Sequence, residues 1–258
     1  MKDAPLTSEP AAPDDAHPSL RGLDARVLAR LRRAVLCPDR DSAEADIGLV
    51  MAAGPSPAEL IDHYIPEAAR RFGEDWMDDF HSFTEVTIGV ARLQGWLRAL
   101  DPRAQSERPV ALDVPEVLMV VPPGNQHTLG AMVAMSQFRR AGAVVKLALG
   151  HDMAEIGRLS RGGRYDLVAV SAAGETLEFL HDLVNMIRKA VPPVPHIAIG
   201  GPILEYRPDI AEQAGADIVT NDPREALASC GHTVSRVAGA GPRPRTSMRS
   251  PPTTATVG

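Results

Sequence analysis

Three short clusters hold the residue types that could do chemistry together. Gly124-Asn125-Gln126-His127-Thr128-Leu129-Gly130 offers an imidazole, which can ligate a metal or take a proton. Ser171-Ala172-Ala173-Gly174 adds a hydroxyl, and Gly200-Gly201-Pro202 adds a glycine pair that lets backbone or a rigid ligand come close. Several chemistries are excluded by what the chain lacks. The segment 124–130 does not supply the G-x-G-x-x-G of a dinucleotide fold, no Gly-Lys-Ser/Thr cradles a phosphate, and no G-x-S-x-G presents a nucleophile. What remains is a ligating group with room for a rigid substituent and no catalytic pair, a binding chemistry and not an enzyme's. A lone histidine in a strand-to-helix loop also serves as a cap or a packing residue, so its setting has to decide.

The elements that position these clusters read as a parallel sheet. Val117-Leu118-Met119-Val120-Val121 is a continuous apolar run of the kind a strand buried on both faces shows. Further strands are expected at 143–149, 167–171, 196–199 and 217–220. Helices are expected between them at 128–141, 153–160, 176–190 and 208–214, and another from Pro223. Five strands alternating with five helices predict an α/β, doubly wound, flavodoxin-like sheet of order 2-1-3-4-5. In such a sheet a ligand sits beyond the carboxyl ends of the strands, beside the first and third. All three clusters follow strand ends there.

The preceding region reads as a four-helix bundle. Leu23, Val27, Leu28, Leu31 and Val35 make one amphipathic stripe. Pro55 and Pro57 open a helix at Ala58 with Ser56 as its N-cap, and runs at 66–77 and 83–100 follow, the last ending before Pro102. The expected division is a disordered tail over 1–18, a helical cap over 19–105, a linker over 106–115, the sheet domain over 116–235 and a disordered basic tail over 236–258. A net charge of −6 argues against wrapping nucleic acid, and no apolar run approaches the roughly 20 residues of a membrane span. The first eighteen residues lack the apolar core of a secretory signal, and two unrelated cysteines, Cys37 and Cys230, suggest neither disulfide nor zinc, so a cytoplasmic location is expected. Six of the ten aromatics lie within 64–96, with Phe72, Trp76, Phe80 and Phe83 at roughly helical spacing, which alone reads as a core stripe.

Asn125-x-His127-x-x-Gly130, then 40 residues, Ser171-x-Ala173, then 26 residues, Gly200-Gly201: this order and spacing resemble the Asp-x-His-x-x-Gly … Ser-x-Leu … Gly-Gly signature of cobalamin-binding domains. The resemblance covers about 116–228, with the bundle matching the helical cap of that family. It implies cobalamin held base-off and His-on, with His127 as lower cobalt ligand. It also implies a nucleotide tail running past Ser171 and Gly200-Gly201, and a site lined by Asn125, Gln126, Thr128, Gly130 and Ala173. Asn125 stands where the family has an aspartate that lends charge to the imidazole, so a weaker cobalt–histidine bond is expected.

The resemblance also implies that Trp76, in Phe72-Gly73-Glu74-Asp75-Trp76, packs over the upper ligand and that Phe72 lines the same site. The Trp-x9-Glu-His of CarH-type photoreceptors is not completed, since Val86-Thr87 stand at the second half, and the upper ligand stays unspecified. His81 is a second imidazole on that side, though a surface histidine is its ordinary reading. The stretch from Ser82 to Gln94 is similar to AerR/PpaA-type regulators of photosynthesis genes. That likeness implies a light-responsive antirepressor acting through a transcriptional repressor, touching DNA at most indirectly and no membrane, with homo-oligomerisation open. A corrinoid shuttle of a methyltransferase system is the alternative with the same two domains.

Overall fold

The computed structural model describes residues 22–105, 114–190 and 194–231. Both expected tails, and the linker apart from its last two residues, lie outside them.

The bundle is made of α1 (Ala25–Leu36), α2 (Arg40–Ala52), a run comprising α3 (Pro57–Glu59), a π-helical turn (Leu60–Tyr64) and α4 (Ile65–Met77), and α5 (Phe83–Ala104). The helix count agrees with the sequence reading, but its make-up differs in three places. α2 was not anticipated: Ile47, Leu49, Val50 and Met51 bunch in its last turns and make no stripe, although Asp39 caps it by accepting from the Ser42 N–H at 2.9 Å. The expected break before Pro66 is absent. The Ile65 N–H reaches back five residues to the Leu60 carbonyl, and this wider turn lets the chain carry a proline onward. α5 likewise passes Pro102, where the carbonyl left without a donor belongs to exposed Arg98. Two capping boxes, Ser56 with Glu59 and Ser82 with Glu85, fix the starts of α3 and α5.

The sheet comprises β1 (Glu116–Val121), β2 (Val144–Leu149), β3 (Leu167–Ser171), β4 (His196–Gly200) and β5 (Ile218–Val219). They lie parallel in the expected order β2-β1-β3-β4-β5. The helices between them are α6 (Thr128–Arg140), α7 (Met153–Arg161), α8 (Leu177–Ala190), α9 (Ile203–Tyr206), α10 (Ile210–Gln213) and α11 (Pro223–Ser229). The single helix expected near 208–214 is thus two short ones. β3 is buried throughout, whereas edge strand β2 exposes Val144 and Leu149. One face packs Leu118, Val120, Val168 and Val170 against Ile156, Leu180 and Leu183. The other packs Val117, Met119 and Val121 against Met135, Phe138 and Leu227. Each such side chain contributes about 1.5–3 kcal/mol.

α6 belongs to two cores. Ala131, Met135 and Phe138 face the sheet, while Leu129 and Val133 complete the bundle core around Leu28, Ile61, Phe72 and Leu93. A polar seam reinforces this junction. The Ser136 hydroxyl donates to Asp101 at 2.5 Å and Arg139 donates to the same carboxylate at 3.1 Å, while Gln137 and Arg140 both donate to Asp62 of the π-turn. Among the described residues no helix is long and apolar enough to cross a membrane.

Candidate functional site

Register decides where the functional side chains meet. Ser171 pairs with Gly200, so β3 and β4 end level, and β1 ends beside them through Val120 opposite Val170. Asn125 then ties the loops together. Its Nδ2 donates to the Ser171 carbonyl at 3.0 Å and to Glu175 Oε1 at 3.2 Å, and its Oδ1 accepts from the His127 backbone N–H at 2.8 Å. This is an Asx turn that stops the chain and starts α6. The expected contact between Asn125 and the imidazole is therefore taken by the His127 main chain, leaving the second lone pair of Oδ1 over.

His127 is the N-cap residue of α6 without a side-chain capping bond, and it is exposed. Among the described residues its ring has no hydrogen-bond partner, so no competing donor or acceptor stands in the way of a metal. Gln126 and Gly130 are exposed beside it. Thr128 is half-buried because its hydroxyl accepts from Gln94 of α5 at 2.9 Å. Ser171 is 8% exposed and its hydroxyl takes no partner among the described residues, leaving it free for a ligand. Ala173 is buried, and its N–H donates to Glu175 Oε2 at 2.5 Å.

The glycine pair is required by the fold itself. A Cβ on Gly200 would lie 2.4 Å from the Thr220 carbonyl oxygen, and one on Gly201 (φ +106°) would lie 2.3 Å from that of Ala172. The close approach that demands glycine is the chain's own backbone, seated by the Ala172 N–H on the Gly200 carbonyl at 2.8 Å and the Gly201 N–H on Asn221 Oδ1 at 2.6 Å.

The bundle supplies the other side. Gln94 meets Thr128, and Asp101 meets Ser136 and Arg139, so α5 and α6 run in the same direction. Residues 83–93 of α5 therefore extend beyond the start of α6, by about 16 Å at 1.5 Å per residue. They overhang the end of the sheet where His127 lies. At the tip stand Trp76 and Phe83, ring centroids 6.3 Å apart, with Met77 and Phe80, all exposed. Phe72 is different: it is 0% exposed, under Arg32 at 5.3 Å and edge-on to His81 at 6.0 Å. It packs the bundle and cannot line a site directly; Trp76, one turn further along the same face, stands in the last turn of α4 and is half exposed. His81 leans on Asp75 at 3.6 Å and Glu85 at 4.0 Å. Val86 is half-buried and the Thr87 hydroxyl donates to the Phe83 carbonyl at 2.8 Å, so neither offers a ligand.

Among the described residues no group of three or more His, Cys, Asp and Glu side chains could hold a bare metal ion. One open imidazole above a hydroxyl and a glycine turn fits a metal that arrives inside its own macrocycle. A family model, the B12 binding domain, matches residues 115–230. A Rhodobacter capsulatus protein, the uncharacterized 20.5 kDa protein in the bchF-crtJ intergenic region, is 35% identical over 165 residues, 64% of this chain and 86% of that protein. The chain belongs to the B12-binding domain family. Its fold is also that of the monomethylamine corrinoid protein of Methanosarcina barkeri, with a TM-score of 0.63 at 13% identity over 79% of this chain and 96% of that one. For a B12-binding domain protein, sequence reasoning found the three loops but missed Glu175 and Gln94. Glu175 reads in sequence as an acid ahead of a helix, and Gln94 as one polar residue of a long helix.

Proposed function

We propose that this B12-binding protein is a light-responsive, cytoplasmic regulator that holds cobalamin base-off with His127 as lower ligand and acts through a transcriptional repressor protein. The observation that carries the reading is the exposed imidazole of His127, without a partner among the described residues, at the meeting point of three hydrogen-bonded loops in a domain of this family. Support for regulation comes from the curated relative, whose place between bchF and crtJ suggests control of photosynthesis genes. Bound cobalamin would supply a carbon–cobalt bond that light cleaves. The chain's own residues do the rest. His127 ligates, Asn125 fixes the turn that carries it, and the Ser171 hydroxyl is free to bond the displaced nucleotide base. Trp76 and Phe83 close over the upper face, and Gln94 links α5 to the first residue of α6, so a change at the tip reaches the ligand helix.

The test is to mix the purified chain with hydroxo-, methyl- and adenosylcobalamin in the dark, desalt, and record absorption before and after illumination. Retention with a light-driven change in one form, and loss of the His-on spectrum in His127→Ala, is the expected result. Retention without a lasting response points to a methyl carrier instead. Failure to retain any form overturns the reading.

A further inference from the structure

We propose that Glu175 is a positioning residue for His127, supplying through Asn125 the negative charge that an aspartate at position 125 would bring; this rests on His127 being the lower ligand. The Asn125 side chain is fully oriented by its surroundings. Both Nδ2 hydrogens are directed at acceptors, the Ser171 carbonyl at 3.0 Å and Glu175 Oε1 at 3.2 Å, while Oδ1 accepts from the His127 N–H at 2.8 Å. The flipped amide would set oxygen against two oxygens, so the carbonyl must face His127. An Asp in the same place would oppose a carboxylate and a carbonyl at those distances. Asn at 125 and Glu at 175 therefore go together.

Glu175 is held for this task. Its second oxygen accepts from the Ala173 N–H at 2.5 Å, and among the described residues no Arg, Lys or His pairs with it, so its charge is not cancelled. A carboxylate that accepts from one end of an amide polarises the other end, and hydrogen bonds in series strengthen each other. The remaining lone pair of Asn125 Oδ1 is thereby a better acceptor for the ring N–H of His127 once the other nitrogen is on a metal. Outer partners of this kind orient a ligating imidazole and raise its basicity, and losing one typically costs about 10–100-fold in affinity.

The experiment is a double-mutant cycle on the full chain: wild type, E175Q, N125D and N125D/E175Q, each loaded with hydroxocobalamin and reduced to the cobalt(II) form. Two readouts serve, the dissociation constant for cobalamin and the nitrogen hyperfine splitting in electron paramagnetic resonance, which reports a protein imidazole on cobalt. E175Q keeps an acceptor for Ala173 but turns its NH2 toward the Asn125 Nδ2, so the charge and the acceptor for Asn125 are lost together; about a tenfold weaker binding with a smaller imidazole-bound fraction is expected. N125D alone suffers from two facing carboxylates, and adding E175Q to it restores binding, so the effect of E175Q changes sign between the two backgrounds. A structural role alone weakens binding in E175Q but leaves the imidazole-bound fraction as in wild type, and that result overturns the proposal, as does an E175Q indistinguishable from wild type. If wild type shows no His127-dependent splitting, the lower-ligand reading fails and takes this inference with it. If wild type shows the splitting and E175Q leaves it unchanged, only this inference falls.

Discussion

The two sides of the site are built from opposite materials. On the sheet side the participants are small or polar and the loops that carry them are held by hydrogen bonds: Asn125 between two loops, Ala173 on Glu175, Gly201 on Asn221. On the bundle side Trp76, Met77, Phe80 and Phe83 stand exposed, with a single ring-to-ring contact between Trp76 and Phe83. A side fixed by directional bonds within its own chain is preorganised before any ligand arrives. A side that exposes large apolar groups gains most of its stabilisation only when something covers them. The sheet side is therefore set before a ligand binds, while the bundle tip leaves apolar surface to be covered.

Four changes would break or sharpen that contrast. Gly201→Val has the largest effect, because its Cβ direction meets the Ala172 carbonyl and its φ is positive. A loss of more than about 4 kcal/mol in chemical denaturation is expected, whether or not cobalamin is present. Phe72→Ala empties the bundle core and costs about 3–5 kcal/mol by the same measurement.

Glu67→Gln, in the same bundle, gives a smaller and pH-dependent effect. Burial opposes the Glu67 charge, but hydrogen bonds from Arg70 and Arg71 outweigh it and hold the carboxyl below the usual range. A depressed folded-state value stabilises above the unfolded value near about 4.3, and the stabilisation fades as pH falls through the lower folded value. The variant should thus be weaker by about 1–3 kcal/mol at neutral pH. It should converge on wild type in acid, as denaturation at pH 7 and pH 3 would show. Trp76→Ala is the smallest in stability, within about 1 kcal/mol, because half the side chain is already exposed. Its expected signature is altered cobalamin retention or photolysis, and wild-type values for every form would make Trp76 a bystander.

The fold was largely legible because the sheet writes itself in apolar runs. β1 reads directly as a strand buried on both faces and β3 as a further strand, and their parallel pairing followed from strict alternation. The bundle was less legible where local rules conflict with packing. α2 has no stripe, and Pro66 and Pro102 look like stops until a π-turn and an exposed carbonyl accommodate them. At the site, spacing brought out the loops, since ligand position is tied to strand ends. Direction was not legible: helical spacing groups Phe72 with Trp76, yet one is core and the other surface. Nor could sequence show that Glu175, fifty residues from Asn125, shares its amide.

α6 is wedged between two cores, and that makes it a ruler. Each residue along a helix turns the next by about 100°. One residue inserted between His127 and Ser136 would swing the Asp101 and Asp62 contacts off the bundle, or else turn Leu129 and Val133 away from it. The spacing from the imidazole to that seam is therefore locked. Insertions and deletions accepted by selection should avoid this helix as strictly as they avoid the buried strands whose register sets the loops.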